Sequence, residues 1–208
     1  MMDRWAVALL RPGLQAGART LVRAGVRADA VTWTGFAIGL GAAVCIAHQA
    51  FLVGLALMLL SRLLDGLDGA VARLTQPTDR GAFLDITLDF LFYASIPLAF
   101  AWADPLRNAL AAATLLAAFV GTGSTFLAFA VLAERRGLTS AAYPAKGLYY
   151  LGGLTEATET LLVFAAMCLW PQAFPVIAAG FAGLCVLTVL TRLWAGWQVF
   201  GRRDSSSP

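Results

Sequence analysis

The sequence predicts an all-α, polytopic membrane protein, with six transmembrane helices behind an amphipathic N-terminal helix at the membrane surface. Three observations predict it. Of the 208 residues, 60% are apolar and only 13% charged, with a mean hydropathy of +0.76. A soluble domain of this length could not hide so much apolar surface behind so few charges. The apolar residues also fall into long runs between short polar breaks, and at roughly 20 residues per span there is enough for six. Finally, the basic residues gather at alternate breaks, as they do in multi-pass proteins. This composition excludes a soluble enzyme, a disordered tail and a disulfide-stapled secreted module, and it offers no nucleic-acid surface. One domain over 1–208 is expected from the length.

Taken in order, residues 1–28 set arginines among Trp5, Val7, Leu9, Leu10, Leu14, Leu21 and Val22, the pattern of a helix lying in the interface. The apolar stretch Ala6–Leu10 is too short for a cleaved signal, and Arg11, Arg19, Arg23 and Arg27 interrupt the residues after it. Spans are expected near 31–48, 51–73, 82–103, 108–133, 154–170 and 174–199, and 201–208 reads as a flexible polar tail. Cys45, Cys168 and Cys185 stand alone in apolar runs and read as packing residues. Gly35, Gly39, Gly41, Gly121 and Gly123 suit close helix contact. The six tryptophans, Trp5, Trp33, Trp102, Trp170, Trp194 and Trp197, fall near span ends as interfacial anchors.

Charge placement sets the orientation. Of fifteen basic residues, fourteen collect on one side when Arg62 and Arg192 are assigned to span ends, and Arg107 alone falls opposite. Both termini and both longer even-to-odd connections then face the cytoplasm, which six spans allow.

Four of the twelve acidic residues sit together. Asp65 and Asp68, three apart, share a face near the cytoplasmic end of the second span. Asp85 and Asp89, four apart, share a face in the first turns of the third. The turn between them folds the helices antiparallel, so the faces can converge. An ionised Asp at mid-span costs roughly 2.5–3.5 kcal/mol on the insertion scale, and four carboxylates repel one another. A hard divalent cation answers both problems. All the ligands are oxygens, and His48, the single histidine, lies on the opposite side. Two Mg2+ or Mn2+ ions fit, and zinc does not. Gly66, Gly69, Ala70, Ala72 and Gly81 leave room for a flat ring or a diphosphate to approach the backbone.

The spacing D-x2-D-G-x2-A-R-x7-G-x3-D-x3-D over Asp65–Asp89 resembles, without departure, the signature of the CDP-alcohol phosphotransferase (CDP-alcohol phosphatidyltransferase) family. Within it the chain looks like bacterial inner-membrane members, notably over 149–160. That resemblance implies an integral-membrane transferase. It would move a phosphatidyl group from a CDP-linked lipid, commonly CDP-diacylglycerol, to an alcohol and release CMP in phospholipid biosynthesis. It further implies two metals on Asp65, Asp68, Asp85 and Asp89, with Asp89 also the general base, and a homodimer. Gly66, Ala72, Arg73 and Gly81, with Gly69 beside them, would shape the nucleotide pocket.

Other residues carry two readings each. Asp29 and Thr32, before the first span, extend such a nucleotide pocket or simply begin a helix with an N-cap Asp. Arg62 shares the face of Asp65, so it meets a carboxylate or phosphate there, or snorkels to headgroups. Arg135 and Arg136 follow from orientation alone, whereas Lys146 stands where relatives meet a phosphorylated acceptor. Glu156 and Glu159 lie on one face at the start of the fifth span. They suit a helix N-terminus that Thr155 caps, or with Lys146 they bind the acceptor's hydroxyls or amine. Two further classes of function are a divalent-cation transporter lined by these carboxylates and a scaffold keeping the motif as a relic. The clustering of the four Asp at one interface, with no acidic residue deep in spans one, four or six, speaks against transport. The complete motif speaks against the relic.

Overall fold

The computed structural model describes residues 3–137 and 155–201, with side chains from residue 10 onward. Among these residues the chain is all-helical: α1 (Asp3–Arg23), α2 (Ala28–Ala47), α3 (Phe51–Leu74), α4 (Asp79–Ala103), α5 (Pro105–Arg135), α6 (Ala157–Leu169) and α7 (Phe174–Gly201), with a short 3-10 turn at Pro171–Ala173. The helix bounds lie within a few residues of the hydropathy expectation. Lys146 and the tail after Gly201 lie outside the described residues.

Among the described residues, four segments are long and apolar enough to cross a membrane: α2, α4, α5 and Pro171–Gly201. Two other helices differ for clear reasons. Helix α3 is long enough, but Arg62, Asp65, Asp68 and Arg73 interrupt its apolar surface. Helix α6 has 13 residues, about 20 Å of rise, against roughly 30 Å of hydrocarbon. It starts at Ala157, later than the expected 154, and its N-cap is Glu156 with no side-chain cap. Thr155 does not cap it. Its hydroxyl donates instead to the Thr188 hydroxyl of α7, at 3.1 Å.

Helix α1 lies on α3. Ala18 is buried against Ala70 and Val71, with Leu14, Leu21 and Val22 beside it, while Arg11, Arg19 and Arg23 are exposed. Gly25 ends this helix at φ +74, a conformation glycine adopts without strain, and Val26 N–H closes the turn onto Leu21 O at 3.0 Å.

The α2–α3 hairpin is tight because its contact positions are small. A Cβ at Gly39 would stand 2.7 Å from the Phe92 ring and 2.8 Å from Ser61 Oγ. At the other end of the hairpin, a Cβ at Gly54 would stand 2.5 Å from Ile46. Ser61, fully buried, donates to Gly35 O at 2.7 Å and ties α3 to α2. Away from the carboxylates the core is aromatic. The rings of Phe51, Phe100 and Phe174 stack, with centroids 5.6 and 4.5 Å apart. Cys168 and Cys185 are buried, Cys45 is half-buried, and all three are free thiols. The tryptophans from Trp33 onward are at least half exposed.

Arg62 and Arg192 are not at helix ends. Each sits well inside its helix, and each is held by the protein. The Arg192 guanidinium donates to Thr122 O of α5 at 2.9 Å. Snorkelling is unnecessary where a partner lies at the same depth.

Candidate active site

The α3–α4 connection brings the four carboxylates to one place. Thr78 caps α4 by accepting from Gly81 N–H at 3.1 Å, and Thr75 turns its hydroxyl back to Val71 O at the end of α3. The two helices then run side by side with their aspartates facing. Oxygens of Asp65, Asp68 and Asp85 all lie within 4.8 Å of one another. Asp68 is only 5% exposed, yet its Oδ2 accepts no hydrogen bond among the described residues. A buried carboxylate oxygen without a donor is costly unless a cation supplies the missing charge. Three hard oxygen donors at this spacing, one of them buried and unsatisfied, fit Mg2+ or Mn2+.

Asp89 stands beside this triad and faces Arg62. Arg62 Nη1 donates to Asp89 Oδ1 at 2.5 Å and lies 3.5 Å from Asp65. The guanidinium is 12% exposed and stacks 3.8 Å from the centre of the Phe92 ring. Arg62 thus contacts carboxylates, as its shared face with Asp65 allows. Thr32, Gly35, Phe36, Arg62, Asp65, Asp85, Leu88 and Asp89 line a narrow recess there.

A second cavity, of about 260 Å³, opens on the other side of Asp89. Its walls are Phe90 and Tyr93 of α4, Phe119, Thr122 and Phe126 of α5, Thr155 to Ala157 and Thr160 at the start of α6, and Cys185 of α7. Asp89 is the residue the two spaces share.

The remaining expected residues separate. Asp29 does not cap α2, whose N-cap is Arg27; it forms an ion pair with Arg80 that joins the first turns of α2 and α4. Thr32 lines the carboxylate recess, with its hydroxyl on Ala28 O at 3.1 Å. A Cβ at Gly81 would meet Thr78 Oγ1 at 3.2 Å and Asp29 Oδ1 at 3.8 Å, so this glycine keeps the α4 start open next to Asp29. At Gly69 the nearest group is the Arg73 guanidinium, 3.3 Å from a built Cβ. The space at Gly66 is filled by Leu14 of α1, at 3.2 Å. Ala72 is half-buried on the same helix. Glu156 lines the cavity; Glu159 is half-buried one turn further on and is not among the lining residues.

Sequence reasoning did not reach most of the cavity wall. Tyr93 carried a usable signal, being four residues after Asp89 on the same helical face. Thr122, Phe126 and Cys185 carried none, because their role follows from how α5 and α7 pack.

Residues 26–195 match the protein family described as CDP-alcohol phosphatidyltransferase. The chain belongs to that family. CDP-alcohol phosphatidyltransferases are phosphotransferases of phospholipid synthesis, so this chain is a membrane phosphotransferase enzyme. It is 49% identical over 197 residues to the inner membrane protein YnjF of Escherichia coli K12, covering 95% of this chain and 96% of the relative. A shorter match, 44% identical over 70 residues, covers about a third of each chain. It is to an archaetidylinositol phosphate synthase of Methanothermobacter thermautotrophicus. Among solved structures, the phosphatidylinositol phosphate synthase PgsA1 of Mycobacterium tuberculosis with CDP-DAG bound superposes with a TM-score of 0.71. The identity is 25%, with 88% of this chain and 93% of that one covered. The same synthase in complex with manganese and citrate gives 0.71 at 26% identity, covering 88% of each chain. For a CDP-alcohol phosphatidyltransferase, the triad of Asp65, Asp68 and Asp85 is a fitting divalent-metal centre.

Proposed function

We propose that this enzyme transfers the phosphatidyl group of a CDP-linked lipid such as CDP-diacylglycerol to the hydroxyl of a small alcohol, with release of CMP. The position of Asp89 carries this reading: it lies between a narrow carboxylate recess suited to a metal ion and a separate cavity of about 260 Å³ suited to a small polar molecule. The PgsA1 complex with CDP-DAG supports a CDP-lipid donor.

Asp65, Asp68, Asp85 and Asp89 would hold two Mg2+ or Mn2+ ions, and the manganese complex of PgsA1 supports a divalent ion. When bound, such ions neutralise the diphosphate and stabilise charge on departing CMP. Thr32, Gly69, Ala72, Arg73 and Gly81 would border the space for the nucleotide, with Asp29 at the start of α2 beside them, whereas Gly66 packs against Leu14 of α1. Asp89 accepts the proton of the acceptor hydroxyl, whose oxygen bonds the phosphatidyl phosphorus as the bond to CMP breaks. The positive end of α4, near Gly81, faces the same phosphates. The acceptor sits in the second cavity, where Glu156 forms part of the wall, and Glu159 and Lys146 would help to bind its hydroxyls or amine.

The proposed setting is the inner membrane, where YnjF resides. Six spans cross it, with α3 and α6 completed by their neighbours, both termini and the carboxylates cytoplasmic, and α1 in the interface. The unit is a homodimer.

Acceptor binding is tested kinetically. Glu156→Gln and Glu159→Gln should each raise the acceptor KM by about tenfold or more, since a hydrogen bond to a charged group contributes roughly 1.5–3 kcal/mol. The CDP-lipid KM should change far less. Equal changes for both substrates would assign these glutamates to helix stability instead.

A further inference from the structure

We propose that Arg62 is a positioning residue for Asp89, fixing that carboxylate on the wall between the two cavities at the expense of metal affinity. The proposal rests on the transfer reading above and assigns a role to a residue outside the motif. Its warrant is the number of independent restraints on one guanidinium. Nη1 donates to Asp89 at 2.5 Å, and Nη2 reaches the Ser61 hydroxyl at 3.3 Å. Ser61 is itself fixed by its bond to Gly35 O on α2. One face of the fork stacks on Phe92 at 3.8 Å, and Asp65 lies 3.5 Å away.

The arrangement is directional. Asp89, Phe92 and Tyr93 are spaced i, i+3 and i+4, so α4 presents a carboxylate and two rings on one face to the same cation. An arginine satisfies all of these at once because its planar fork donates at the edge and stacks on the face. The bond to Oδ1 anchors one oxygen of the carboxylate. The second oxygen of Asp89 is thereby aimed by a rigid group, which is what proton acceptance from a bound hydroxyl requires.

The same cation has a cost. A positive charge 3.5 Å from Asp65 repels any divalent ion held by Asp65, Asp68 and Asp85. A residue kept only to stabilise the fold would have no such opposed effects. Removing it would loosen the carboxylates and weaken metal binding together with turnover.

The test uses the full-length protein in detergent, with Mn2+ binding followed by electron paramagnetic resonance and CMP release followed in parallel. Arg62→Gln should bind Mn2+ more tightly by about threefold or more, yet turn over about 100-fold more slowly, with the CDP-lipid KM changed by less than about threefold. Arg62→Lys keeps the charge but loses the fork and the stacking face. It should keep wild-type Mn2+ affinity and still lose about tenfold in kcat. Weaker Mn2+ binding in Arg62→Gln, falling together with kcat, would overturn the proposal, as would wild-type kcat in either variant. Absence of CMP release by the wild type would fail the transfer reading, while the Mn2+ affinities would still decide whether Arg62 opposes the ion.

Discussion

Asp68→Asn should abolish transfer, lowering kcat by at least about 10³-fold, and should weaken Mn2+ binding without unfolding the protein. The magnitude reflects the loss of a metal contribution of several kcal/mol, at 1.36 kcal/mol per factor of ten. Asp68 is the most buried of the four aspartates, and its Oδ2 has no donor among the described residues. The amide keeps the shape of the side chain but removes one unit of charge and a hard ligand. Folding should not suffer, because the variant also removes a buried carboxylate with an unsatisfied oxygen. Thermal unfolding in detergent without metal should therefore show a midpoint at or above that of the wild type. Full turnover by Asp68→Asn at low magnesium would contradict a metal held by this residue.

Asp89→Asn should be nearly as damaging and differ in kind. Loss of a general base costs typically 10²–10⁴-fold, so a drop of about 10³-fold in kcat is expected. Asp65, Asp68 and Asp85, whose oxygens lie within 4.8 Å of one another, are untouched by this substitution, so the tighter Mn2+ should be retained and only a weaker one lost. Arg62 keeps Asp65 as its remaining carboxylate partner. Measuring Mn2+ titrations and CMP release on the two variants side by side separates the roles. If Asp89→Asn lost metal as completely as Asp68→Asn, Asp89 would be a ligand alone.

Much of this was legible in the sequence because the relevant signals are local. Hydropathy placed the third helix at 51–73 against the observed Phe51–Leu74, and the fourth at 82–103 against Asp79–Ala103. Spacings of three and four residues predicted paired carboxylates, and a short turn predicted that the pairs meet. The errors arose where a residue's fate depends on which helices are neighbours. Arg62 counts near a span end in the charge balance, although its shared face with Asp65 already points to a carboxylate. Halfway along α3 it is stabilised by Asp89 and Phe92, 27 and 30 positions later in the chain. Thr155 read as a cap, but α7 supplied Thr188 at 3.1 Å and the hydroxyl went there. The cavity wall was illegible for the same reason: Thr122 and Cys185 come from α5 and α7, and no periodicity specifies that pairing. Gly39 reads as a close helix contact and is one, whereas Gly66 reads as room for a ligand and is filled. Gly39 faces Phe92 and Ser61, whereas Gly66 faces Leu14 of α1.

The central claim is that the space on either side of Asp89 joins a CDP-lipid to an alcohol. Its most direct test is CMP release by the purified protein, supplied with CDP-diacylglycerol, Mg2+ or Mn2+ and a panel of small alcohols. Phosphorylated and unphosphorylated polyols and amino alcohols belong in the panel. CMP should form one-for-one with a new phospholipid, dependent on one class of acceptor and abolished by chelation of the metal. CMP formation that persists after chelation, or no new lipid with any CDP-linked donor and any alcohol, would contradict the claim.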